Sequence, residues 1–391
     1  MLNTSLSPWP SFTQEEADAV SKVLLSNKVN YWTGTECREF EKEFAAFAGT
    51  QYAVALSNGT LALDVALKAM GIGAGDDVIV TSRTFLASAS CIVTAGANPV
   101  FADVDLNSQN INAETIKAAL TPNTKAIIVV HLAGMPAEMD GIMDLAKEHD
   151  LWVIEDCAQA HGAKYKGKSV GSIGHVGAWS FCQDKIMTTG GEGGMVTTNE
   201  KELWSKMWSY KDHGKSYDAV YHREHAPGFR WLHESFGTNW RMMEMQAVIG
   251  RIQLKRMPEW TARRQAHAAK LAESLGKFAS IRLIEVADYI EHAQYKFYAF
   301  VKTEHLKDGW TRDRIVNELN ARKVPCYQGS CSEVYLEKAF DNTPWRPKER
   351  LKNAVELGDT SLMFLVHPTL TDGEIAFCKE HIEAVLAQAT A

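Results

Sequence analysis

The chain has 391 residues, 46% of them hydrophobic, enough for two or three domains at roughly 100–200 residues per domain. A formal net charge of -7 and a pI near 6.0 give a nucleic-acid partner no electrostatic support. The longest apolar runs, such as AIIVV at 126–130, fall far short of the roughly 20 residues that span a bilayer, so no membrane partner is expected.

The opening MLNTSLSPWPSF lacks the charged and apolar regions of a signal peptide. Seven cysteines, an odd number without CxxC spacing, fit reduced thiols. A soluble, cytoplasmic protein is expected, in which the sequons at Asn3 and Asn58 carry no meaning.

In chain order, a short apolar strand (YAVAL, 52–56) runs into SNGTLALDVALKAMGIG, which opens an amphipathic helix. Short β-type runs then alternate with helical stretches: DVIVT (77–81), NPVFADV (98–104), KAIIVVHL (125–132) and LWVIED (151–156). Between them lie the helices ASASCIVTAG (87–96), NAETIKAAL (112–120) and EMDGIMDLAKEHD (138–150). Apolar runs without strict alternation predict strands buried on both faces, and their alternation with helices predicts parallel βαβ units. GAWSFC (177–182) and GGMVTTN (193–199) add two strands. From about 240 the texture changes to a long or kinked helical segment rich in charge and alanine. A strand (YKFYAFVKT, 295–303) and a helix (RDRIVNELNARK, 312–323) follow. The division drawn is a large domain over 1–250 and a smaller α+β domain over 251–391.

Three segments carry chemistry. At Ser57, Asn58, Gly59 and Thr60 a strand gives way to a helix whose N-terminus offers free N–H groups and a favourable dipole to a phosphate. An ordinary well-capped helix reads equally from those letters. Asp156 ends a strand, where open α/β sheets bind ligands; its carboxylate could keep a pyridinium nitrogen protonated, cap a helix or hold a metal. Lys185 lies between a strand and the turn GGEGG, with Gly190, Gly191, Gly193 and Gly194 free to bend beside a bulky group. A lysine there could link covalently to a cofactor aldehyde and later move protons, or simply be solvated before a hairpin.

In this order and spacing the segments resemble the StrS/DegT-type sugar aminotransferases, a branch of the fold-type I pyridoxal-phosphate (PLP) enzymes in the aspartate aminotransferase superfamily. The resemblance covers nearly the whole chain: WTGTECREFEKEFA (32–45), SNGTLAL, FADVD (101–105), VHLAGMPAEMD (130–140), EDCAQAHGA, SFCQDKIMTTGGEGG, NWRMMEMQAVIG (239–250) and HPTLTD (367–372). It implies an α/β PLP-transferase fold: a large domain with a mainly parallel sheet flanked by helices, and a smaller C-terminal α+β domain. It also implies roles. Gly59 and Thr60 would hold the phosphate of pyridoxal 5'-phosphate, with Ser180. Phe85 would stack on the ring, Asp156 would meet its nitrogen, Gln159 would lie near its hydroxyl, and Lys185 would carry it. Asn239 would reach the phosphate of a neighbouring subunit, which implies a homodimer with a shared active site.

The implied reaction moves nitrogen from an amino acid, L-glutamate, to a keto- or aldehydo-sugar for lipopolysaccharide, O-antigen or another surface glycan. The sugar is either a nucleotide-linked keto-deoxyhexose or an oxidised 3-deoxy-octulosonate. The second would need a cationic clamp, with Arg223, Arg230 and Arg241 as candidates. Two alternatives share the cofactor residues. A PLP-dependent sugar dehydratase should have histidine at 185, and a non-catalytic PLP-binding sensor should carry an added DNA-binding module. Cys157 and Met187 depart from the alanine and leucine the family suggests, as packing changes.

Other signals are weaker. GAKYKGKS (162–169) fits the P-loop pattern, but a strand and glycines follow it where a helix is required, so a β-turn explains it. His222 and His225 lack a third ligand at metal spacing and read as a loop. GIGAG (71–75) reads as a C-cap and turn. Trp231 and Trp240 flank a long polar loop, where core packing and a sugar-stacking role for Trp231 both remain open.

Overall fold

Why do the apolar runs carry no polar alternation? A computed structural model, which describes residues 6–391, answers directly; the sequon at Asn3 lies outside those residues. The first nine strands are β1 (Tyr52–Leu56), β2 (Asp77–Thr81), β3 (Asn98–Ala102), β4 (Thr124–Val130), β5 (Trp152–Asp156), β6 (Lys164–Tyr165), β7 (Lys168–Ser169), β8 (Val176–Ser180) and β9 (Gly194–Thr198). Seven of them form one sheet in the order β1-β9-β8-β5-β4-β2-β3. Successive side chains in a strand face opposite ways. Val78, Val80, Ala126, Ile128 and Ile154 therefore pack with the helices Gly59–Ala69 and Ala87–Thr94 on one face. Ile79, Ile127, Val129 and Val153 pack on the other with Ile116, Met139, Ile142 and Leu145. Both faces are covered, so every strand position wants an apolar residue.

The pairing sets the direction of every strand end. β2, β3, β4, β5 and β8 run parallel, while β9 is antiparallel to both β8 and β1. β1 therefore also runs with β5 and β8. In register, Leu56 and Ser180 both lie opposite Gly194, and Asp156 lies opposite Ala178. The last residues of β1, β5 and β8 and the first of β9 thus share one edge.

The segment GAKYKGKS is not a phosphate loop: Lys164–Tyr165 and Lys168–Ser169 pair as a tight antiparallel hairpin, with Lys166 and Gly167 at positive φ. The charge-rich segment after 240 is one helix, Glu244–Leu275, which contains Pro258 and runs through residue 250. Ala247 and Met257 on it pack under the large sheet, and Ala268, Leu271 and Leu275 pack in the C-terminal core. That core is a four-stranded sheet, β10 (Ile281–Leu283), β12 (Phe297–Val301), β14 (Ser361–Phe364) and β13 (Cys326–Tyr327), all antiparallel. The pair β11 (Ile290–Glu291) instead joins β6. Among the described residues no helix is long and apolar enough to cross a membrane.

Candidate active site

The sheet edge opens into a cavity of about 600 Å³. Gly59, Thr60, Phe85, Asp156, Gln159, Ser180 and Lys185 all line it. Asn239 does not: it is exposed, in a bridge with Asp212.

One end of the cavity is the start of the helix Gly59–Ala69. Asn58 is extended and its Oδ1 accepts the N–H of Leu61 at 3.0 Å. A helix leaves its first N–H groups without intrahelical partners. With Leu61 served, those of Gly59 and Thr60 remain at the cavity wall. Gly59 is required by close approach, since a Cβ there would lie 2.5 Å from Cβ of Ser180. Gly194 is required likewise, because a Cβ would lie 2.2 Å from the carbonyl oxygen of Asn58.

Asp156, 6% exposed, lines the same cavity. Its Oδ1 accepts the N–H of Ala158 at 3.1 Å and its Oδ2 accepts the hydroxyl of Ser88 at 2.7 Å. Ser88 has one proton, so Thr84, 2.9 Å away, must be the donor in their shared bond. Ser88 and Thr84 line the cavity too and were not singled out from sequence. The signal was their place beside Phe85. Gln159 Oε1 accepts the N–H of Ala133 at 2.8 Å, and Ala133 adopts a left-handed φ of 56° to present it.

Lys185 sits in the loop between β8 and β9. Thr188 Oγ1 donates to the carbonyl of Phe181, Thr189 Oγ1 to that of Glu192, and Gly190 and Gly191 turn at φ 85° and 124°. Trp9 Nε1 donates to the Lys185 carbonyl at 2.8 Å. The backbone is thereby fixed while the side chain, 16% exposed, extends along the wall. Cys182, Asp184 and Glu192 join it.

The residues fit PLP on this geometry. Two N–H groups at a helix start beside a serine hydroxyl form an anion cradle that a Cβ at Gly59 would fill. A carboxylate with acceptor capacity to spare lines the same cavity. An amine and an aromatic face, Phe85 at 71% exposed, complete the set.

The other candidates resolve differently. His225 Nε2 donates to the Ala219 carbonyl, and His222 packs on Tyr217. Among the described residues one His/Cys/acid group is tight enough for a metal, His131, Glu155 and Cys157. Its ligand atoms are occupied by hydrogen bonds: His131 uses both ring nitrogens and Glu155 both oxygens. Arg241 is bound to Asp212, and Arg223 to Glu234 and Asp218. Arg230 is exposed. Trp231 is 79% exposed, and Trp240 packs edge-on against Tyr210.

Against known proteins, residues 10–383 match the model of the DegT/DnrJ/EryC1/StrS aminotransferase family. A solved aminotransferase from Psychrobacter cryohalolentis is 65% identical, with a TM-score of 0.96, over 98% of this chain and 99% of that one. The GDP-perosamine synthase of Escherichia coli O157:H7 is 41% identical over 377 residues, 95% of this chain and 96% of its own. The S. venezuelae DesV structure, in complex with a ketimine intermediate, is 31% identical, with a TM-score of 0.85 over 95% and 94% of the two chains.

Proposed function

The chain belongs to the DegT/DnrJ/EryC1/StrS aminotransferase family, and we propose that it moves an amino group from L-glutamate to a nucleotide-linked keto-sugar, with Lys185 as the covalent carrier of PLP. The observation that carries this reading is convergence: the Lys185 amine, the Asp156 carboxylate and the start of the helix Gly59–Ala69 all face one cavity.

Bound PLP would supply an electron sink for the charge that develops at the carbon losing or gaining nitrogen. The chain's own residues do the rest. Gly59 and Thr60 N–H groups and the Ser180 hydroxyl hold the phosphate. Asp156, oriented by Ser88 and Ala158, would face the ring nitrogen. Phe85 covers the ring, and Gln159, its oxygen committed to Ala133, offers its amide nitrogen to the ring hydroxyl. Lys185 Nζ takes and returns the proton on the reacting carbon.

A homodimer is part of the reading. Asn239 ends an exposed arm that carries Phe229, Trp231 and Phe236, the last 99% exposed. Burying such a surface on a second copy would bring Asn239 to that copy's phosphate cradle. Support for a nucleotide-linked sugar comes from relatives named GDP-perosamine synthase and dTDP-3-amino-3,6-dideoxy-alpha-D-galactopyranose transaminase. Carboxylate partners on Arg223 and Arg241 leave a free octulosonate a poorer clamp. The product would enter a surface glycan such as lipopolysaccharide.

The test is the visible spectrum of the PLP-loaded protein, with and without glutamate, beside Lys185→Ala. A lysine-dependent band that glutamate bleaches, absent from the variant, is the expected result. No chromophore after PLP is supplied would sink the reading.

A further inference from the structure

Lys185 has a neighbour that the cofactor cradle does not require. Its Nζ lies 3.9 Å from Oδ1 of Asp184, the one carboxylate within ion-pair reach of it among the described residues. The other oxygen of Asp184 is taken: Oδ2 accepts the hydroxyl of Tyr295 at 2.5 Å. Lys185 Nζ also stands 5.3 Å from the centre of the Tyr295 ring. Carboxylate and aromatic face therefore bracket one ammonium.

Tyr295 comes from the C-terminal half of the chain, just before β12, and is buried. Its backbone N–H donates to the Ala133 carbonyl at 2.9 Å, and Ala133 is the residue whose N–H holds Gln159. Arg264 donates to the Tyr295 carbonyl at 3.4 Å. A single backbone connection thus ties the ring-hydroxyl end of the cavity to the brace on Asp184. Burial and the nearby Asp184 charge raise the Tyr295 hydroxyl well above its ordinary range, so it remains a donor. Burial pushes the Asp184 carboxyl up, but Lys185 and the Tyr295 hydroxyl outweigh it and hold that carboxyl below its usual range. The carboxylates of Asp156 and Glu192 line the same cavity, but among the described residues neither forms an ion pair with Lys185. Lys296 and His161 are driven toward their neutral forms by burial, to about 8 and about 3, and the Cys182 thiol is raised by burial, Glu192 and Asp184.

We propose that Asp184, braced by Tyr295, is a positioning residue that keeps the Lys185 ammonium inside the cavity whenever that lysine is not covalently engaged. The inference rests on the reading of Lys185 as the cofactor's carrier. A four-carbon side chain set free in a cavity of about 600 Å³ has many rotamers, and one fixed anion selects those that return Nζ to its place.

The experiment labels the cofactor-free protein with trinitrobenzenesulfonate at one pH and quantifies the Lys185 peptide by mass spectrometry. Asp184→Asn keeps the size of the side chain and its bond from Tyr295 but removes the charge. Its Lys185 should label several-fold faster than that of wild type, because the amine is no longer held. Asp184→Glu should return the rate toward that of wild type, and Tyr295→Phe should raise it by less than Asn. Rates unchanged in both Asp184→Asn and Tyr295→Phe would overturn the inference. PLP added before labelling separates the two readings: protection of Lys185 with an unchanged rate sinks only the role of Asp184. Absence of protection sinks the carrier reading and this inference with it.

Discussion

Glu155 and Asp156 are adjacent carboxylates on the same central strand, and they face opposite sides of the sheet. Glu155 is saturated. Its Oε1 accepts the N–H groups of Ile173 and Gly174, and its Oε2 accepts that of Gly171 and Nε2 of His131, all at 2.7–2.9 Å. His131 is in turn fixed by the N–H of Ala137, which its Nδ1 accepts at 3.0 Å; the ring proton therefore sits on Nε2 and points at Glu155. Asp156 has two donors, Ser88 and Ala158, and a cavity in front of it. A carboxylate offers about four acceptor positions. One residue spends all of them on the fold, and its neighbour keeps part of them for a ligand. Burial alone does not distinguish a structural acid from a working one; the count of donors does.

The largest effect should come from breaking the saturated side. Glu155→Ala would strand His131 and three N–H groups in a dry site, at a cost of about 3–5 kcal/mol, read by denaturant unfolding of the cofactor-free protein. The acid limb sharpens this. Burial pushes the Glu155 carboxyl up, but the hydrogen bond from His131 and the N–H groups of Gly171 and Gly174 outweigh it, so its native value lies below the ordinary one. A depressed carboxyl contributes stability that is complete above its unfolded value of about 4.3 and is lost as pH falls through the lower native one. Wild type should lose stability over that window, and Glu155→Ala should show a flatter acid limb. Equal slopes would mean that Glu155 is not the group that titrates.

Asp156→Asn probes the other side. It keeps the shape: its one oxygen can still accept from Ala158, and Ser88, with its proton turned to Thr84, can accept from the new amide nitrogen, so unfolding should hardly move. Amino transfer should fall on the order of 10²–10³-fold, the scale of losing one preorganised electrostatic partner. Single-turnover bleaching with glutamate measures it. A large loss of stability with little loss of rate would reverse the assignments of the two carboxylates.

Much of this contrast was legible in the sequence, and the reasons are physical. A strand such as LWVIED announces itself through a short apolar run, and its last acid lies where parallel sheets bind ligands. GGEGG beside Lys185 marks a tight loop because few other residues fit φ above +80°, as at Gly190 and Gly191. What stayed hidden was made by distance in the chain. The β1–β9 pairing joins residues more than a hundred positions apart and sets Gly194 against Asn58 at the start of the helix Gly59–Ala69. Tyr295 meets Asp184 across 111 positions, through packing between two sheets that no local period encodes. The hidden role of Glu155 has the same origin, because its donors lie in a glycine-rich turn that reads as a loop. Pro258 invited a kink, yet the helix Glu244–Leu275 continues through it, carried by packing on two cores.

Asn58 shows the comparison at its smallest scale, because one side chain serves fold and ligand together. It caps the helix through Leu61, while its backbone aims the next two N–H groups into the cavity wall. Asn58→Ala should cost about 1 kcal/mol of stability and weaken PLP retention a few-fold. Asn58→Asp separates the two functions. An aspartate caps as well as asparagine, so unfolding should match wild type, but its charge would stand beside the phosphate and repel it. PLP affinity, measured by fluorescence titration of the cofactor-free protein, should therefore fall further in Asp than in Ala, although Asp is the more stable variant. Affinities that instead followed stability would mean that the helix start supports the wall without holding an anion.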